Sequence, residues 1–252
     1  GLVLPDSPIV DDPEKTSLNL VICAIDPATG AGIPIERPQV FTALRYSGDN
    51  MDRSEHLSVL DEVVAYGARA WTTNISLPHP GVYQLVMQTK AGWVPEQDKF
   101  VQYVTKVQIP AYGSAEGWDK PANISFEISP LSRPFGLCSG MACSGQALFD
   151  GTPIPGALID VARLDPAIKP NVAQPEDPNA PPQDDKAQPK AKKQDKQPTP
   201  QPISAFGATQ QVKADSEGVF TFVCPLPGWW AFSTSMAGDP LQDPEGKQKP
   251  LE

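Results

Sequence analysis

Two carboxylates, two residues apart, raise the first chemical question. In "GWVPEQDKFVQYVTK" Glu96 and Asp98 stand just before an alternating stretch, with Trp93 and Tyr103 nearby. Carboxylates on a loop beside aromatic rings can hold a divalent cation, and all-oxygen ligation suits hard ions better than nickel. The same residues also suit a polar turn that leads into a strand. The two histidines, His56 in "DRSEH" and His79 in "PHP", complete the candidate metal ligands. Neither lies beside a serine or cysteine in a nucleophile pattern, and no G-x-S-x-G, H-E-x-x-H or phosphate-loop sequence occurs. The reading is therefore that the chain is not an enzyme.

The cysteines are Cys23, Cys138, Cys143 and Cys224. Cys138 and Cys143 sit in "GLCSGMACSG" with four residues between them, and Gly140 can turn the chain. In an oxidising compartment a Cys138–Cys143 disulfide is expected, worth roughly 2 kcal/mol in the chain-entropy model. Inert thiols are one alternative. Half a metal site is another, but no second Cys/His pair follows at zinc-like spacing. Cys23 and Cys224 lie in apolar runs and read as small buried hydrophobes. Four indoles, Trp93, Trp118, Trp229 and Trp230, are candidates for a ligand-contact surface.

The elements that position these residues are strands. "SLNLVICAI", "ARAWTTNISL", "VYQLVMQT", "KFVQYVTKVQI" and "NISFEIS" all alternate with period two. In "VYQLVMQT" Tyr83, Leu85 and Met87 share one face, and Gln84 and Gln88 share the other, as expected of a sheet with one buried side. "DRSEHLSVLDEVVAYG" reads as strand and loop rather than helix. "SPLSRPFG" marks a joint between modules. Beyond it, "GQALFDGTPIPGALIDVARLD" and "GVFTFVCPLPGWWAFSTS" are strand–turn–strand units. The expected organisation is all-β: two consecutive Ig-like or prealbumin-like β-sandwiches, residues 1–130 and 131–252. Residues 165–202, rich in Pro, Gln, Lys and Asp, read as a disordered insert in the second.

One pattern occurs in both halves. "LPHPGVYQL" and "CPLPGWWAF" each read Pro-x-Pro-Gly-x-aromatic. The first proline ends a ladder because it has no N–H to donate, and the glycine accepts positive φ. Each copy is expected to be a hairpin closing one sandwich, with Tyr83 and Leu85 corresponding to Trp230 and Phe232. Because neighbours in a strand point to opposite faces, at most one of Trp229 and Trp230 enters a core.

Bulk properties bound the rest. The chain of 252 residues carries 30 prolines and 19 glycines, a turn-rich composition. A formal net charge of −10 argues against nucleic acid and anionic membrane surfaces as partners. There is no apolar run of about 18 residues, so no helical membrane span is expected. The chain starts at Gly1 and shows no signal peptide, which reads as a mature or trimmed form whose export address is not visible. Asn74-Ile75-Ser76 and Asn123-Ile124-Ser125 match the N-glycosylation pattern.

A resemblance adds to this reading. "WVPEQDKFVQYVTKVQIPAYGSAEGWDKP", "EISPLSRPFGL", "GTPIPGALIDVARLD" and "KADSEGVFTFVCPLPGWWAFS" follow one another in order. Together they resemble the periplasmic uncharacterised-domain proteins associated with bacterial nickel and cobalt uptake transporters, as an additional periplasmic component. The second half also resembles the carboxypeptidase-regulatory or transthyretin-like sandwich. The resemblance implies an exported accessory protein that binds or hands over Ni²⁺ or Co²⁺, or docks to a membrane permease. Where members of that family carry histidine at the mature N-terminus and in the "YVTKV" strand, this chain has Gly1 and Gln102. The rival expectation is an exported binding or adhesion module for carbohydrate or protein, contacting its ligand through the four indoles.

Overall fold

Period-two alternation builds twenty strands among the described residues, joined by turns and two short 3-10 segments. The computed structural model describes residues 2–14, 16–26, 30–164, 172–173 and 210–252, with Glu96 described by its backbone alone. The chain opens with β1 (Leu2–Pro5), β2 (Ser17–Ile25), β3 (Gly32–Ile33), β4 (Pro38–Ser47) and β5 (Asn50–Glu55). It continues with β6 (Asp61–Ala65), β7 (Ala68–Ser76), β8 (Gly81–Thr89), β9 (Gly92–Val94), β10 (Lys99–Val101) and β11 (Val104–Ala111). The next strands are β12 (Phe126–Pro130), β13 (Ala142–Phe149), β14 (Thr152–Pro153), β15 (Leu158–Leu164) and β16 (Gln210–Lys213). The last are β17 (Val219–Val223), β18 (Trp229–Ser233), β19 (Gly238–Gln242) and β20 (Gln248–Leu251).

The fold is all-β, of packed sheets consistent with the Ig-like sandwich that the alternation predicts. One sandwich packs the sheet β1–β2–β7–β6 against β11–β8–β4–β5. The pleat sends every second residue inward, so Leu18, Leu20 and Ile22 of β2 meet Phe41 of β4 and Leu85 and Met87 of β8. The other sandwich packs β12–β13 with β14 and β17 against β16–β15–β18. Its core is aromatic: Phe222 lies 5.4 Å from Trp230 and 6.1 Å from Phe232. The two sandwiches meet where Leu164 and Trp229 pack against Leu2, Leu4 and Ile25.

A third, smaller sheet crosses the expected boundary between the modules. β20 lies parallel to β10, so residues 238–251 return to the first half of the chain as part of β9–β10–β20–β19. The expected insert, residues 165–202, lies outside the described residues except for Val172 and Ala173. Ala173 exchanges two backbone hydrogen bonds, 2.8 and 2.9 Å, with Val64 on edge strand β6.

Two local expectations are corrected. Gln84 does not face solvent: it is fully buried, because the segment 112–125 covers the outer face of its sheet. Gln84 Nε2 donates to the carbonyls of Gly117 and Lys120, Gln108 Nε2 donates to Trp118, and the Tyr46 hydroxyl donates to Pro121. Beneath the same segment, Lys106 of β11 pairs with Glu127 of β12, both nearly buried.

The Pro-x-Pro-Gly joints are not hairpins. β7 pairs with β2 and β6, whereas β8 pairs with β4 and β11; β17 pairs with β13, whereas β18 pairs with β15. Each joint therefore carries the chain from one sheet of a sandwich to the facing sheet. The two copies match in detail. Gly81 and Gly228 both have φ of +135°, a conformation closed to most side chains. The aromatic two residues later bonds back to the residue between the prolines: Tyr83 Oη accepts from the His79 N–H, and Trp230 Nε1 donates to the Leu226 carbonyl. In each copy an arginine opposite that aromatic, Arg45 or Arg163, donates to the second proline's carbonyl, Pro80 or Pro227. The physical reason is direction: the glycine turns the chain over the end of the sandwich, and the arginine and aromatic pin the turn from the receiving sheet.

Candidate functional site

Of the carboxylate–aromatic cluster, Trp93 and Asp98 lie at the β9–β10 turn, while Tyr103 packs against the first core. Trp93 and Phe100 are direct cross-strand partners with ring centres 5.1 Å apart. The 3-10 turn Pro95–Gln97 ends at Asp98, whose backbone is left-handed at φ 53°. Glu96 lies in that turn; its side chain is outside the described set. Asp98 has a cation, but an internal one. Lys249 Nζ donates to both Asp98 oxygens, at 2.6 and 2.7 Å, and stands 5.9 Å from the Trp93 ring centre. The Asp98 hydrogen bond raises the Lys249 pKa and keeps the ammonium charged. One step along, Lys99 pairs with Glu252, holding the Glu252 carboxyl below its usual value. Carboxylate and indole face do here for an ammonium what the sequence suggested for a metal ion.

The remaining candidate ligands are not brought together. His56 is half-buried at the end of β5, with its ring 6.1 Å from Phe41, and burial lowers its pKa despite neighbouring Glu55. His79 is exposed on the first joint. Among the described residues no three His, Cys, Asp or Glu side chains converge as a metal site. Asp98, His56 and His79 thus do not fit a shared Ni²⁺ or Co²⁺ site. A small cleft of about 110 Å³ near the N-terminus is lined by Asp6, Asp11 and Asp12. Of these, Asp6 accepts from the Asn19 backbone and side-chain amides, and Asp12 caps the Glu14 N–H.

The indoles are half-buried and disposed separately. Trp229 packs at the seam between the sandwiches and Trp230 in the second core, on opposite faces of β18. Trp93 is under Lys249, and Trp118 lies on the cover over Gln108. The expected Cys138–Cys143 disulfide is not formed: all four cysteines are free thiols. The pleat turns Cys143 into the second core, while Cys138 stays exposed in the turn that its carbonyl closes with the Met141 N–H.

Sequence reasoning missed Lys249, Lys99 and Glu252 because the contacts span more than 150 residues and the strand "QKPL" is too short to show a period. It missed Arg45 and Arg163 too, although each occupies the position opposite the repeated aromatic. It also missed an apolar rim on the second sandwich. Met141, Val223 and Leu226 are 47, 51 and 52% exposed. They lie at the same end of the sandwich, where the Met141 carbonyl accepts from Cys224 N–H and Ser139 Oγ donates to the Pro225 carbonyl.

Fold and contacts together define an all-β protein of two packed sandwiches tied by a small mixed sheet. The model of a domain of unknown function, DUF4198, matches residues 1–238, and the chain belongs to that family. No curated protein matches it. No helix among the described residues is long and apolar enough to cross a membrane.

Proposed function

We propose that the chain is a non-enzymatic, extracytoplasmic accessory component of a nickel or cobalt uptake system, and that it acts by docking to the membrane permease. The ordered motifs that resemble such components support the pathway. The Asp98–Lys249 pair carries the choice of mechanism: the carboxylate best placed for a cation already has both oxygens on an ammonium. Docking needs a contact surface, and Val223 and Leu226, both about half exposed at one end of the second sandwich, are the apolar groups we assign to it. The rival reading, a binding or adhesion module for carbohydrate or protein, calls for free indole faces, and here Trp93 lies under Lys249, Trp229 at the seam and Trp230 against the second core.

The test is nickel and cobalt uptake by cells expressing the permease and its ATPase, with and without this chain. Uptake should rise with the chain present, and Val223→Asp combined with Leu226→Asp should abolish the rise while leaving the circular dichroism unchanged. Equal uptake with and without the chain refutes the reading. Calorimetric titration with Ni²⁺ tighter than about millimolar would replace docking by direct carriage.

A further inference from the structure

The third sheet joins an edge and a strand that relate as receptor and ligand. β20 adds to β10 in parallel, with the Gln102 N–H donating to the Glu252 carbonyl and the Glu252 N–H to the Phe100 carbonyl, both at 2.9 Å. A tight turn joins only antiparallel neighbours, so this strand has to arrive from elsewhere. Its side chains are read in alternation. Lys249 enters the Asp98 carboxylate and Trp93 face, Leu251 stands opposite Phe100, and Glu252 pairs with Lys99. Main-chain bonds for affinity and alternate side-chain pockets for specificity are the marks of peptide recognition by strand addition.

Two further observations set the edge apart from its occupant. The β9–β10 edge lies within the part of the chain that matches the family, residues 1–238. The occupant arrives on an irregular tether and lies near the surface. Residues 234–237 connect it to β18 without regular structure, and most of β19 and β20 is exposed or half-buried.

We propose that the β9–β10 edge is a recognition site for an extended segment of a partner protein carrying a lysine, an apolar residue two positions later and then an acid, and that β20 fills this site in cis. The proposal does not depend on the uptake reading. A partner segment competes with a tethered strand whose effective concentration is of millimolar order.

The experiment uses the full chain and a fluorescein-labelled synthetic peptide of residues 238–252, followed by anisotropy. Wild-type chain should show no saturation below about millimolar peptide. Chain carrying Lys249→Ala with Leu251→Asp should bind at least about tenfold tighter, because its own strand is crippled. Adding Asp98→Ala to that chain should weaken the peptide roughly three- to tenfold. Adding Asp98→Lys should abolish binding, and a peptide with glutamate in place of its Lys249 should restore it. Amide exchange at Gln102 reports opening of the edge. No binding once that amide is unprotected overturns the proposal. So does unchanged protection in the double variant, since the strand would then not be held by these side chains. Wild-type dimers that exchange β20 between copies would overturn the assignment to a different partner protein.

Discussion

Replacing Glu127 by alanine tests how the cover over the first sandwich is held. Lys106 and Glu127 have side-chain exposures of 10 and 5%, so their pairing takes place largely out of water. Glu127 also accepts the Ala122 N–H with both oxygens at 3.2 Å, which ties the end of the covering segment to the same carboxylate. Glu127→Ala strands a buried ammonium and a backbone donor together, and breaking one side of such a pair costs about 3–5 kcal/mol. Lys106→Met with Glu127→Leu removes both charges and should fall within about 1 kcal/mol of wild type or above it. With the single variants Lys106→Met and Glu127→Leu this closes a double-mutant cycle by urea unfolding, in which the double variant should lose far less than the sum of the singles. pH adds a signature. Burial holds the Lys106 pKa below 10.5, and Glu127 opposes that shift, so removing Glu127 deepens it. Between the folded value and 10.5 the unfolded chain binds more protons than the folded chain, so stability of Glu127→Ala rises with pH across that window. A loss under about 1 kcal/mol with additive single variants would show that the pair is solvated and that the cover is held some other way.

The joints, the thiols and the returning strand give three more expectations. Gly81→Ala and Gly228→Ala should each destabilise by about 1–3 kcal/mol, since both glycines sit at φ +135°; a neutral effect at either would break the equivalence of the joints. A disulfide reagent should titrate Cys138 rapidly in the native chain and Cys23, Cys143 and Cys224 only after denaturation, because burial pushes Cys23 up to about 12, Cys224 to about 11 and Cys143 upward. A linked Cys138–Cys143 fragment in a mass map would contradict this. The Lys99 and Ser235 hydrogen bonds hold the Glu252 carboxyl below its usual value, so its contribution is present above about pH 4.5 and is lost as pH falls through the lowered folded value. Amide protection at Gln102 should fall over that range in wild type and stay flat in Glu252→Gln.

What the sequence showed of the fold was its local part. Alternation placed Leu85 and Met87 inward, and both are fully buried. The same alternation sent Gln84 outward and stopped there, because the carbonyls that bury it come from residues 33 and 36 positions away. Proline and glycine located the joints, but hairpin and crossover differ only in which strands pair, and that is decided by partners distant in sequence. The site behaves likewise. Glu96 and Asp98 beside Trp93 read as holders of a divalent cation, whereas the structure gives Asp98 a lysine ammonium that lies 151 residues away in sequence. Spacing also suggested the Cys138–Cys143 bridge, whereas the structure holds both as free thiols, Cys143 in the core and Cys138 exposed.

The duplicated joint settles what its variable position does. In one copy the residue between the prolines is His79, in the other Leu226, and in both the structural contact is made by its backbone: an N–H toward Tyr83, a carbonyl toward Trp230. An imidazole and an isobutyl group therefore serve the turn equally, so the turn does not require either side chain. Both positions are exposed, and each caps the end of its own sandwich. The fold leaves these two side chains free for contact with something else. In the second copy that freedom is spent on an apolar group, Leu226, which is about half exposed.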